Sequence, residues 1–280
     1  MYYQRIISIP VCIILCCAFL ILGCGEEAED EVPAEQPEAT ETVKDISFSF
    51  ISALPHDTTS FTEGLFYHNG ALYESTGAPQ DMPSTRSLFG IVDLKTGKID
   101  VKAELDKKIY FGEGIALLGD KIYQLTYTTR KGFIYDASSF RKIGEFTFPS
   151  REGWGMTTDS INLIMSDGTS TLTYLDPATL AVKRTLQVTD ERGDVRYLNE
   201  LEYIRGYIYA NKYGTNIICK IDPATGKVVG RLDLSRLASE ASARYPASLE
   251  MNGIAYDAAS DKVFVTGKMW PYIFTISIPH

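Results

Sequence analysis

The sequence predicts an all-β chain folded as a five-bladed β-propeller. Three observations lead there: a text of short strands and tight turns, a unit that recurs five times, and a last unit one strand short with a spare strand at the other end of the repeat array.

The strands come first. ALYES, KIYQLTY, GFIYD, LTYLD, YIYANKY and KVFVTG are rich in aromatic and β-branched residues, and NG, GD, DG, RG and SD turns stand between such runs. Tyr 17 and Phe 13 against Trp 2 is a balance that suits strands. The clearest helical period is LSRLASEASARY, residues 234–245.

The repeat comes next. FTEGLFYHNGALYEST, FGEGIALLGDKIYQLTY, GWGMTTDSINLIMSDG, LNELEYIRGYIYANKYG and MNGIAYDAASDKVFVTGK each read as strand, turn, strand. Gly64, Gly114, Gly155, Glu200 and Gly253 align, at spacings of 50, 41, 45 and 53 residues. Four units continue into a similar third strand carrying D-x-x-T-G-K or D-P-A-T wording, and the fifth ends early at YIFTISI. A unit of this length is one four-stranded blade. The spare segment SFSFISALPHD is expected to complete the last blade and close the ring without a covalent link.

The first 45 residues are not fold. Met1 to Gly23 has one basic residue, Arg5, and then runs apolar from Ile6 to Leu22, the pattern of a secretory signal. It ends Ile21-Leu22-Gly23-Cys24, which resembles a bacterial lipobox. Cys24 is therefore the expected lipidation site, and each buried methylene of its acyl chains adds about 0.8 kcal/mol of membrane affinity. Residues 24–45 hold nine acidic residues, one basic and no aromatic, so they read as a solvated tether. The expected organisation is a signal over 1–23, lipid-bearing Cys24 and tether over 24–45, and the propeller over 46–280. The localisation that follows is an exported, membrane-anchored lipoprotein of the cell envelope. Gly25 after the cysteine favours the outer membrane if the host has two.

Net charge is -9; the signal contributes +1 and the tether -8, which leaves -2 for residues 46–280. The net charge argues against a nucleic-acid partner, and the acidity belongs to the tether, not to the domain. Three histidines, His56, His68 and His280, are too few and too scattered for a zinc centre or a Ser-His-Asp triad. Cys12, Cys16 and Cys17 belong to the signal, so Cys219 is left without a partner and reads as a small buried hydrophobe.

Inner strands of a propeller line the axis, and the residue before each aligned position is Glu63, Glu113, Trp154, Asn199 or Asn252. None is a plain aliphatic. Phe61 and Phe111 precede the two glutamates by two positions, so strand alternation turns them to the same side. The second strands end in Tyr127, Asp167, Tyr213 and Lys268, with Trp270 just beyond. An aromatic cup with a few convergent polar groups is the usual make-up of a small-ligand site.

The motifs PHD-x3-FTEGL, YFGEG, YQLTY, GWGM, SDGTSTL, LNELEYI, NGIAYD and VFVTGKMWP, in this order over residues 46–278, resemble the glutamine cyclotransferase family of plants and bacteria. The resemblance implies a five-bladed propeller. It also implies a metal-free and cofactor-free conversion of N-terminal glutaminyl residues to pyroglutamate with release of ammonia. It makes Glu113 of YFGEG the catalytic glutamate. It puts Phe61, Glu63, Phe111, Tyr127, Trp154, Asn199, Tyr213 and Lys268 around the substrate; the repeat position adds Asn252 and the strand end Trp270, and the reaction needs an oxyanion donor, for which Asn199 and Lys268 are the candidates. One departure stands out: the family writes FTQGL where this chain has Glu63, so a second carboxylate joins Glu113 and like charges raise the pKa of the pair.

Two other readings use the same residues. A lipid-anchored propeller can bind peptide N-termini without turnover. A lactonase-type hydrolase would gather Glu113, Glu200, Glu202 and Asp167 around calcium. The expected partners are peptides or proteins with N-terminal glutamine and, through Cys24, a membrane; the expected assembly state is a monomer.

Overall fold

A computed structural model describes residues 43–279. The signal, Cys24 and nearly all of the acidic tether lie outside the described residues, as does His280.

Five sheets radiate from one axis. Blade I holds Phe61–His68, Ala71–Gly77, Leu88–Val92 and Ile99–Glu104. Blade II holds Gly112–Leu118, Lys121–Thr126, Lys131–Asp136 and Lys142–Thr147. Blade III holds Met156–Thr158, Leu163–Met165, Thr171–Leu175 and Val182–Gln187. Blade IV holds Leu198–Ile204, Tyr207–Lys212, Ile217–Ile221 and Val228–Asp233. Blade V takes three strands from the C-terminal end, Met251–Asp257, Lys262–Gly267 and Tyr272–Ser277, and its fourth, Ser49–Pro55, from the N-terminal side. The expected strand exchange is therefore present. Lys44–Asp45 adds a short parallel fifth strand to blade IV, so pairing begins two residues before the expected domain start.

The first strand of each blade is the inner one, and each touches the inner strand of the next blade until blade V meets blade I. Burial follows from this placement. Phe61–His68 is buried over its first six residues, whereas the outer strand Val182–Gln187 is exposed at all but one of its first five. Each of the five apolar clusters lies between two adjacent blades. Phe66, Phe89, Ile115, Phe133 and Tyr135 fill the gap between blades I and II, and Leu65, Leu72, Phe264 and Ile273 that between V and I. The helix reading also holds: Ser235–Arg244 lies between blades IV and V and buries Leu237 and Ala241. Cys219 is buried, and burial pushes its thiol up to about 11.

A buried ion pair latches the closure. His56 follows the exchanged strand, and its Nε2 lies 3.0 Å from Glu74 of blade I, both side chains without solvent exposure. Its Nδ1 lies 2.8 Å from the Trp270 carbonyl of blade V, and Thr62 Oγ1 donates to Glu74 at 2.7 Å. Burial works to lower the imidazole pKa, but the facing Glu74 outweighs it and the value is raised. Replacing His56 with Leu is expected to cost about 3–5 kcal/mol, because it leaves a buried carboxylate without its cation. The pair's contribution is full below the unfolded pKa of about 6.5 and is lost as pH rises through the raised folded value. Urea unfolding of parent and variant should therefore show a gap that is wider at acid than at alkaline pH.

Candidate active site

The cavity residues sit where the inner strands leave their ladder. Register breaks between Thr62 and Gly64, Gly112 and Ile115, Leu198 and Leu201, and Met251 and Ile254. Glu63 is left out at the first break, and Glu113 with Gly114, Asn199 with Glu200 and Asn252 with Gly253 at the other three. A bulge bends the strand and re-aims its side chain. The repeat thus supplies the same local irregularity in four blades. In blade III, Trp154 and Gly155 precede the strand and both bond to Ser166.

A cavity of about 250 Å³ opens at this end of the axis, lined by Phe61, Glu63, Pro79, Phe111, Glu113, Tyr127, Trp154, Asn199, Tyr213 and Lys268. It is small beside the ~300–1,000 Å³ of drug-sized sites, which suits one amino-acid side chain and its amine. Nine of the expected residues line it. Asn252 and Trp270 do not, and each is a correction. Asn252 turns aside because its amide donates to the Thr62 carbonyl at 3.0 Å and to Glu63 Oε2 at 2.9 Å. It holds a cavity residue instead of facing the cavity. Trp270 folds back after Gly267, donates from Nε1 to the Leu249 carbonyl at 2.9 Å and packs edge-on to Phe274.

The aromatic wall is built by contact. Phe61 and Phe111 meet edge to face with centroids 5.9 Å apart, Phe111 and Tyr127 lie at 5.9 Å, and Trp154 and Tyr213 at 5.6 Å. Two glycines make room for it. A Cβ on Gly77 would stand 2.0 Å from the Phe111 ring, and one on Gly168 2.6 Å from the Trp154 ring.

The polar floor is a coupled set. Lys268 Nζ lies 2.9 Å from Glu63 Oε1 and 4.6 Å from the centroid of Phe61. Burial pushes Glu63 up to about 7 against the opposing pull of Lys268. Burial, and then the Glu63 charge, hold Glu113 well above the ordinary carboxylate range. Burial works to lower Lys268, but Glu63 and Glu113 together keep it raised.

Glu113 is placed by its backbone. Its carbonyl accepts from Ser75 Oγ at 2.5 Å, and Ser75 is in turn bonded by Gln124 at 2.9 Å. Gly112 N donates to Ser87 Oγ at 2.7 Å and Gly114 N to the Trp154 carbonyl at 2.7 Å. Its carboxyl has no hydrogen-bond partner among the described residues, although the residue is only 4% exposed. Asn199 is similar: its Oδ1 is buried and unpartnered.

The other acidic residues weighed for a calcium cluster are used elsewhere. Glu200 accepts from the amides of Leu65 and Ile254, and Glu202 accepts from the Tyr256 amide and the Thr157 hydroxyl. Asp167 caps its own turn through Thr169. Sequence reasoning passed over two residues. Pro79 could have been found, since it lies just past the second strand of blade I, near the repeat position that supplies Tyr127, Tyr213 and Lys268. Glu152 carries no repeat signal; its carboxylate accepts from Trp154 Nε1 at 2.9 Å.

Comparisons with known proteins agree with this picture. The family model described as glutamine cyclotransferase matches residues 20–278. A glutaminyl-peptide cyclotransferase of Arabidopsis thaliana is 39% identical over 230 residues, 81% of this chain and 70% of that protein. The crystal structure of Myxococcus xanthus glutaminyl cyclase superposes with a TM-score of 0.76 at 31% identity, over 84% of this chain and 98% of the other. The repeat, the bulged cavity residues and these matches converge, and the chain belongs to the glutamine cyclotransferase family.

Proposed function

We propose that this protein is a glutaminyl-peptide cyclotransferase. It closes the N-terminal glutamine of a peptide or protein to pyroglutamate, with release of ammonia and without a metal. The observation that carries the reading is the unpartnered, buried carboxyl of Glu113 facing an aromatic cavity sized for one residue.

The reaction needs orientation more than encounter, because nucleophile and electrophile belong to one residue. Stacked between Phe111, Trp154 and Tyr213, the glutamine side chain curls toward its own amine. The neutral α-amine attacks the γ-amide carbon, a C–N bond forms, and the carbonyl oxygen takes up negative charge. Burial, and then the Glu63 charge, favour the protonated form of Glu113, and that form can give its proton to the amide nitrogen as the C–NH2 bond breaks. It then takes one back from the new ring nitrogen, and the cycle closes with no net change in Glu113. Asn199 is the better oxyanion donor, since its amide nitrogen makes no hydrogen bond among the described residues whereas Lys268 is engaged by Glu63. One such donor contributes about 2.7–4 kcal/mol to the transition state.

Glu63 tunes this cycle. Changing Glu63 to Gln removes a charge that holds Glu113 up and frees Lys268, which pulls it down. The limb of the pH–rate profile that reports Glu113 should therefore move to lower pH. Unmoved limbs in the variant would mean that the two carboxylates do not communicate.

The anchoring at Cys24, the exported location and the monomeric state belong to the same proposal and rest on the sequence. A lipid-bearing N-terminus would appear as a mass increase on the mature N-terminal peptide, lost on Cys24→Ser. The test of the activity itself is N-acetylation of the substrate. A glutaminyl dipeptide should release ammonia and its N-acetyl form should not, because the attacking amine is gone. Equal release from both would mean hydrolysis of the side-chain amide instead of cyclisation.

A further inference from the structure

We propose that Glu152, outside the cavity lining, is a positioning residue that holds the indole of Trp154 as a wall of the cup beside Tyr127. The inference rests on the cyclase reading of that cup.

The geometry is local. Trp154 Nε1 donates to Glu152 Oε2 at 2.9 Å. The neighbouring Gly153 N–H donates to the Tyr127 carbonyl at 2.8 Å, which keeps residue 152 beside the end of blade II's second strand. Burial, and then the Glu152 carboxylate, raise the Tyr127 phenol. Trp154 and Tyr127 come from different blades and share no ring contact among the described residues; Trp154 meets Tyr213, and Tyr127 meets Phe111. One half-buried carboxylate thus holds the indole of one half of the wall, on a segment that the Gly153–Tyr127 backbone bond ties to the other half. By turning the indole N–H outward, it leaves the ring face to the substrate. Besides this bond, the indole has Gly168 beneath it and Tyr213 beside it. Behind burial and the Glu63 charge, and against Lys268, the same carboxylate adds to the upward shift of Glu113.

The test compares Glu152→Ala and Glu152→Gln with the parent on a glutaminyl dipeptide amide. kcat and KM are read separately across pH, with tryptophan emission as a second signal. The chain has two tryptophans, and Trp270 is sealed in the core, so an emission change reports Trp154. The alanine variant should raise KM several-fold, lower kcat about tenfold and red-shift the emission, since a misplacement of ~1 Å can cost up to 10²-fold. The glutamine variant keeps an acceptor for the indole and should restore KM and emission. It lacks the charge, however, so the Glu113 limb should still move to lower pH. An alanine variant with KM, kcat, limbs and emission within twofold of the parent overturns the proposal. A parent that releases no ammonia overturns the cyclase reading instead. Calorimetric binding of the dipeptide amide, weakened several-fold by alanine and restored by glutamine, would then uphold Glu152, and equal binding by all three would overturn it.

Discussion

Glu113→Gln is expected to lower kcat by about 10²–10⁴-fold while leaving the protein at least as stable as the parent. The loss follows from the cycle proposed above: a carboxamide occupies the same volume but cannot pass a proton from ring nitrogen to leaving nitrogen. The stability result follows from linkage. The folded pKa of Glu113 lies well above its unfolded value. A carboxyl of that kind contributes stability below the unfolded pKa of about 4.3 that is lost as pH rises through the folded value. Near neutral pH and above, the parent bears this loss and the glutamine variant does not. Its Tm should be unchanged at acid pH and equal or higher at pH 8, a stability–activity trade of the kind active sites show. Activity within tenfold of the parent would remove Glu113 from proton transfer. A Tm that falls at pH 8 would mean the carboxylate is held by contacts other than those described here.

The largest effect on folding is expected at Glu200. This residue takes the ring position that is glycine in the other four blades. Its carboxylate reaches across the axis to the Leu65 amide of blade I at 3.1 Å and the Ile254 amide of blade V at 2.8 Å. Burial raises its pKa well above the ordinary range, against those two amides. Glu200→Ala strands both buried N–H groups, each of which costs ~1–3 kcal/mol, and opens a void at the axis. A total of about 3–6 kcal/mol is comparable to the whole stability of many domains. The expected result is a urea midpoint shifted far down, or a chain recovered only in aggregates. Glu200→Gln, which keeps one acceptor oxygen, should fall between. An alanine variant within 1 kcal/mol of the parent would show that the axis is not held by this staple.

Much of the architecture was legible because the chain writes its blade five times. Gly64, Gly114, Gly155 and Gly253 recur where inner strands crowd the axis, and YIFTISI stops one strand short where Ser49–Pro55 completes the sheet. The preceding ring residues were legible for the same reason. What the repeat could not say was where a polar side chain finds its partner. Asn252 and Glu63 hold equivalent positions, yet one serves the other, 189 residues away in sequence. Lys268 meets Glu63 across the ring seam, a pairing visible only after closure. Trp270 was placed in the cup because it follows Lys268 by two residues, but the turn after Gly267 carries the indole back toward the Leu249 carbonyl. Glu152 sits in a connection between blades, where no repeat position marks it.

The most direct test is a single reaction carried to completion. The chelator-treated protein is incubated with a glutaminyl dipeptide, and ammonia, pyroglutamyl peptide and glutamyl peptide are measured together. The account predicts one ammonia for each pyroglutamyl product, no glutamyl product, and a rate that chelation leaves unchanged. Glutamyl peptide as the main product, or a rate abolished by chelation and restored by added zinc or calcium, would contradict it.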